Sequence, residues 1–154
     1  MAEKIFVNMA EYKVTKSPNI LVGSGIGSCI LICLYDPESK IGGMAHSMLP
    51  NGQDYAGGNS AKFVNVGIDL LLKGMIRGGA KKSKIEAKMV GGAKMFPSIS
   101  NPQGGDIGRR NAQSAREKLE REGITLVTED TGGNHGRSVE FDVSNGIVTV
   151  KIKL

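Results

Sequence analysis

Two cysteines and two histidines are all the thiols and imidazoles in the chain, and one of each stands where a nucleophile and its base would be useful. Cys29 follows Gly23-Ser24-Gly25-Ile26-Gly27-Ser28 and precedes the apolar run Ile30-Leu31-Ile32-Cys33-Leu34-Tyr35. It therefore sits where a bendable segment meets a stiff one. Such a junction presents a thiol at a surface, and the neighbouring amides, with Gly27 and Ser28 shaping the turn, can steady an oxyanion. A free thiol with a pKa near 8.5 is only a few per cent ionised at pH 7, so it needs a base. His46 is the expected base. His135 lies in the glycine-rich Thr131-Gly132-Gly133-Asn134-His135-Gly136-Arg137 and reads as structural or solvated. Cys33, in mid-strand, reads as a small core hydrophobe.

Other chemistries fit less well. Counted from Gly23, the sixth position of a G-x-G-x-x-G is Ser28, and a strand follows where a dinucleotide fingerprint needs a helix. Two Cys and two His in no ligand spacing argue against zinc, and no cofactor or metal is expected. Four residues apart on an extended segment, Cys29 and Cys33 would have Cα atoms roughly 13 Å apart, too far to bridge.

The elements that position this pair can be read from the pattern. The run from Ile30 is continuous and β-branched, as in a strand buried on both faces. After a turn over Asp36-Pro37-Glu38-Ser39-Lys40, Ile41 to Leu49 returns as the second arm of an antiparallel hairpin, which brings Cys29 and His46 to the same end. Residues 50–60 read as a loop. Ala61 to Arg77 reads as a helix with Phe63, Val66, Leu70 and Leu71 on one face, stopped by Gly78-Gly79. A strand over Ile85 to Val90 gives way at Gly91-Gly92 to an irregular stretch through Pro97, Pro102 and Gly104-Gly105. Asp106 is the expected N-cap of a second helix ending at Gly123, with surface pairs Arg116 with Glu120 and Glu117 with Arg121. Strands at 124–129, 137–143 and 147–153 follow, the last two joined by Asn145-Gly146 as a two-residue hairpin turn. The pattern implies an α+β fold: a layered α/β sandwich with a mixed, largely antiparallel sheet and two main helices.

With 154 residues the chain suits one domain over 1–154. A net charge of +5 and a pI near 9.3 permit an acidic partner. Lys and Arg are nevertheless spread along the chain, aromatics are few and Trp is absent, which argues against a nucleic-acid platform. No segment approaches the roughly 18 to 20 apolar residues of a membrane span, and the N-terminus lacks a signal-peptide plan, so a cytoplasmic location without membrane insertion is expected.

Five blocks in order give the chain a wider likeness: Ile26-Gly27-Ser28-Cys29, Gly43 to Pro50 (Gly-Met-Ala-His-Ser-Met-Leu-Pro), Gly91-Gly92-Ala93-Lys94-Met95-Phe96, Ile107-Gly108-Arg109-Arg110-Asn111, and Glu129 to Ser138. In these the sequence resembles the chemoreceptor glutamine deamidase family, CheD, over nearly its whole length. The resemblance implies that Cys29 attacks the carboxamide carbon of a receptor glutamine and that His46 takes the thiol proton and later protonates departing ammonia. Water then resolves the γ-glutamyl thioester to glutamate. The implied partners are a chemoreceptor cytoplasmic domain and a CheC-type chemotaxis phosphatase, and regulation of that phosphatase without catalysis is the alternative role. The family usually carries a threonine six residues before the cysteine to orient the histidine. Here that position is Gly23, and Ser24 is the expected substitute. A papain-like protease or a transglutaminase shares the acyl-enzyme logic, but such proteases usually place their histidine far downstream of the cysteine. Of the remaining block residues, Asn111 and Asn134 are expected to tie loops around the cleft, and Arg109, Arg110 and Arg137 read as solvated.

Overall fold

The computed structural model describes residues 1–52, 60–95 and 106–153. Most of the loop expected at 50–60, and the stretch carrying Pro97, Pro102 and Gly104-Gly105, lie outside the described residues. In chain order the strands are β1 (Lys4–Phe6), β2 (Tyr12–Lys16), β3 (Ile20–Ile26), β4 (Ile30–Asp36), β5 (Ile41–Ser47), β6 (Glu86–Gly91), β7 (Thr125–Thr131), β8 (Gly136–Asp142) and β9 (Ile147–Lys153). Helix α1 (Val64–Arg77) lies between β5 and β6, and α2 (Ile107–Arg121) between β6 and β7.

The apolar run forms β4 as expected, and β4 and β5 pair from Ile30 opposite Ser47 to Asp36 opposite Ile41. Every residue of both strands is buried. The pleat divides β4 between two cores: Ile30, Ile32 and Leu34 pack with the helices, while Leu31, Cys33 and Tyr35 pack with Leu21, Val139 and Phe141. A strand that is apolar throughout thus marks a middle layer. Helices cover one face of a five-stranded sheet ordered β2-β5-β4-β6-β7, and a four-stranded sheet ordered β1-β3-β8-β9 covers the other. Among the described strands, β1 with β3 and β6 with β7 run parallel, and the other pairings are antiparallel.

The α+β sandwich is the fold expected, but with two sheets where one was read. The second sheet depends on β1, only three residues long, and on β3, which runs on into a glycine-rich segment. Gly23 to Ile26 continues β3, and the bend is a bulge between Gly23 and Ile26, with Gly25 at φ +66° in the region that favours glycine. The β8–β9 connection is longer than the two-residue turn expected. Asp142 pairs with Ile147, so four residues intervene, and the Asp142 carboxylate accepts from the Ser144 amide and hydroxyl. Asp36 organises the β4–β5 turn in the same way, accepting from the amides of Glu38 and Ser39, and it reaches the amide of Lys81 beyond α1.

Helix α1 buries Val66 and Leu71 as expected, together with Val64, Gly67, Ile68, Leu72 and Met75, while Leu70 and Phe63, which precedes the helix, are only half-buried. The Asp106 side chain caps α2 by accepting from the Arg109 amide at 3.1 Å. Arg116 bonds Glu129 on β7 through Nε at 3.0 Å in place of the intrahelical Glu120, pinning the helix to the sheet.

Candidate active site

His46 stands opposite Leu31 across the hairpin. Directly opposed residues share a face, and Leu31 packs between the sheets, so the imidazole enters that space. Cys29, two residues before Leu31, packs against the same inter-sheet cluster. The two side chains are diagonal neighbours at one end of the middle layer, a separation of roughly 7–8 Å between Cα atoms in regular antiparallel sheet.

The imidazole is held by main chain. Its Nδ1 lies 3.3 Å from the Val7 carbonyl oxygen. A carbonyl only accepts, so Nδ1 carries the proton and Nε2 presents a lone pair. Nε2 is buried and has no hydrogen-bond partner among the described residues. Val7 is fixed in turn by donation from its amide to the Val22 carbonyl at 2.8 Å. The His46 backbone is anchored on both sides, donating to Glu11 O at 3.0 Å and accepting from Ala10 N at 2.9 Å. Burial pulls the imidazole below its usual range, opposed by the Val7 bond and the Glu11 charge. Burial pushes the Cys29 thiol up, opposed by its own backbone amide. Both shifts run toward the uncharged forms, a thiol and a neutral imidazole.

Ser24 lies apart from this pair. It is exposed, within the bulge of β3, and among the described residues the hydroxyl expected to stand in for threonine makes no hydrogen bond to the His46 ring. At Gly23 itself a Cβ would lie 2.6 Å from Leu31 Cδ1. The space a threonine would enter is filled by Leu31, and the orienting acceptor is the Val7 carbonyl, which no side-chain pattern announces.

The turn before the thiol is fastened by its carbonyls. Gly27 O accepts from Ala93 N at 2.9 Å and Cys29 O from Gly92 N at 2.8 Å, while Ser28 O accepts from the Asn111 side chain of α2 at 2.8 Å. In a trans peptide the N–H points opposite the C=O, so the amides of Ser28 and Cys29 are directed away from these anchors, and neither donates to a described backbone carbonyl. Gly91 makes the approach possible: a Cβ there would sit 2.3 Å from Cys29 O, and its φ is +122°. Gly108 does the same for α2, since a Cβ would fall 2.4 Å from Ala93 O.

Asn111 ties the loops as expected; Asn134 makes no side-chain hydrogen bond among the described residues. Arg137 departs from its reading as solvated. Only 2% exposed, it bonds Asp130 Oδ1 at 3.2 Å and the Gly91 carbonyl at 3.4 Å, bracing the turn behind Cys29. His135 is half-buried, and its ring packs near Gly133.

Residues 48–152 match the model of a family described as CheD chemotactic sensory transduction, a segment that begins just past His46. Curated relatives span Cys29 and His46 as well. A protein of Desulfitobacterium hafniense named "probable chemoreceptor glutamine deamidase CheD" is 48% identical over 151 residues, covering 98% of this chain and 94% of its own. Proteins of the same name from Haloarcula marismortui and Thermococcus kodakarensis are 46% and 42% identical, covering 97% and 96% of this chain and 85% and 92% of theirs.

Proposed function

The chain belongs to the CheD family, and from that premise we propose that it is a chemoreceptor glutamine deamidase, a single domain over 1–154 acting in the cytoplasm through Cys29 and His46. The observation that carries the reading is the buried, unpaired Nε2 of His46, held in one tautomer by Val7 on the face that Cys29 shares.

His46 Nε2 removes the Sγ proton as the thiolate attacks the carboxamide carbon of a glutamine side chain. The carbonyl oxygen becomes an oxyanion facing the Ser28 and Cys29 amides. As the tetrahedral intermediate collapses, the proton on Nε2 passes to the leaving nitrogen and ammonia departs, leaving a γ-glutamyl thioester. Water then enters, Nε2 takes one of its protons, and hydroxide addition followed by loss of the thiolate yields the side-chain carboxylic acid, which loses its proton to solvent as glutamate. The proton returns to Sγ and the neutral pair is restored. The Nδ1 bond to Val7 stabilises the imidazolium that forms in each half of the cycle.

The alternative is a non-catalytic regulator of a CheC-type phosphatase, which the absence of a threonine at Gly23 favours. The Val7 carbonyl, as an acceptor for Nδ1, supports the catalytic reading, and association with such a phosphatase is compatible with catalysis. A purified receptor cytoplasmic fragment incubated with the protein should gain about 1 Da at particular glutamines by mass spectrometry. Cys29→Ala and His46→Ala should each lower the rate at least about 10³-fold. A receptor left unchanged by the native chain would sink the enzymatic reading in favour of the regulatory one.

A further inference from the structure

Asn111 is fully buried on the face of α2 that meets the active-site end of the hairpin. Its Nδ2 donates to two carbonyls, Ser28 O at 2.8 Å and Met48 O at 2.9 Å. Ser28 immediately precedes Cys29, and Met48 follows His46 by two residues. Both acceptors are carbonyls, so only the NH2 end of the amide can face them, and the chemistry fixes the side chain's orientation. Oδ1 is left buried without a partner among the described residues. A position that served packing alone would shed that cost by being apolar.

The mount is rigid. Asp106 caps α2, Gly108 seats the helix against Gly92 and Ala93, and one turn on, Ser114 holds Pro50 O at 3.0 Å, further along the segment that leaves His46. Nothing else among the described residues bonds the Ser28 carbonyl. Releasing it would free the peptide plane that aims the Cys29 amide.

The geometry points to Asn111 as a positioning residue: one carboxamide nitrogen clasps the nucleophile's turn and the strand leaving the base, setting their spacing and holding the Cys29 amide toward the oxyanion. This assignment rests on the deamidase reading for its consequence, though not for its test.

Asn111→Leu keeps the volume and removes both donors, and Asn111→Gln keeps a donor one methylene farther out. In receptor deamidation, Asn111→Leu should lower kcat about 10²-fold with KM within about twofold, and Asn111→Gln should recover part of the loss. Alkylation of Cys29 by iodoacetamide should show its pH midpoint moved upward in Asn111→Leu, because the backbone amide that favours the thiolate is no longer held. In the unaltered protein, the Asn111 side-chain amide protons should exchange slowly by NMR. Asn111→Leu with unaltered kcat and pH midpoint, whatever its melting temperature, overturns the assignment, as does rapid exchange in the unaltered protein. If Asn111→Leu does not fold, Asn111→Gln and the exchange measurement decide. Alkylation and exchange need no receptor, so a native chain inactive on receptor would sink the deamidase reading alone.

Discussion

The packing between the two sheets holds one cysteine deep inside, toward the β4–β5 turn, and one partly exposed at the other end of the hairpin. Cys33, 1% exposed, shares its cluster with Tyr35 and Phe141, whose rings meet edge-on with centroids 5.8 Å apart. The Tyr35 hydroxyl closes that end by donating to Val143 O at 2.9 Å. Burial there pushes the Cys33 thiol up to about 12, with the nearby Lys88 charge pulling weakly the other way. Cys29, on the same face and four residues earlier, keeps partial exposure and lies beside its own backbone amide. The two thiols differ in depth along one interlayer, and depth separates a packing atom from the proposed nucleophile.

The sharpest way to break this contrast is alkylation of the native protein with iodoacetamide. Cys29 should react at least about 10³-fold faster than Cys33, read by peptide mass spectrometry, because the buried thiol is both inaccessible and un-ionised. Since the raised Cys29 thiol is neutral at rest, its rate should climb through the alkaline range with no plateau at low pH. A low-pH plateau would signal a resting thiolate–imidazolium pair. Next in size, Phe141→Ala at the closed end should cost about 3–5 kcal/mol in denaturant unfolding, while alkylation of Cys29 below the transition stays unchanged. A coupled loss of thiol reactivity would show that the two ends are not independent. Smallest of all, Ser24→Ala should alter deamidation by less than about twofold and stability by less than about 0.5 kcal/mol. A larger effect on rate would return the hydroxyl to the site and displace Val7.

The hairpin and both helices were legible because their signals are local: an unbroken apolar run, an Asx-type turn at Asp36, an aspartate one residue before a helix. The same runs located Cys29 and His46 relative to one another. The second sheet was not legible. Its strand β1 has three residues, two of them exposed, and β3 ends in Gly-Ser-Gly-Ile, which has turn composition yet continues as strand because β8 pairs with it. Sequence separation hid the rest. Arg116 finds Glu129 across the fold rather than its helical neighbour, and Arg137 is buried by β6 and β7 against every compositional expectation for arginine. The Val7 carbonyl lay beyond any reading by residue type, since each residue carries the same acceptor and only tertiary placement selects one.

That placement has an evolutionary consequence. An acceptor supplied by the main chain survives substitution of the side chain attached to it, so position 7 is free to drift among residues that fill the same apolar space while the imidazole keeps its orientation. Position 23, relieved of supplying a hydroxyl, is free to be selected for close packing against Leu31. On the proposed mechanism, two constraints that a hydroxyl would have joined in one residue are carried by separate positions, and each can change without the other.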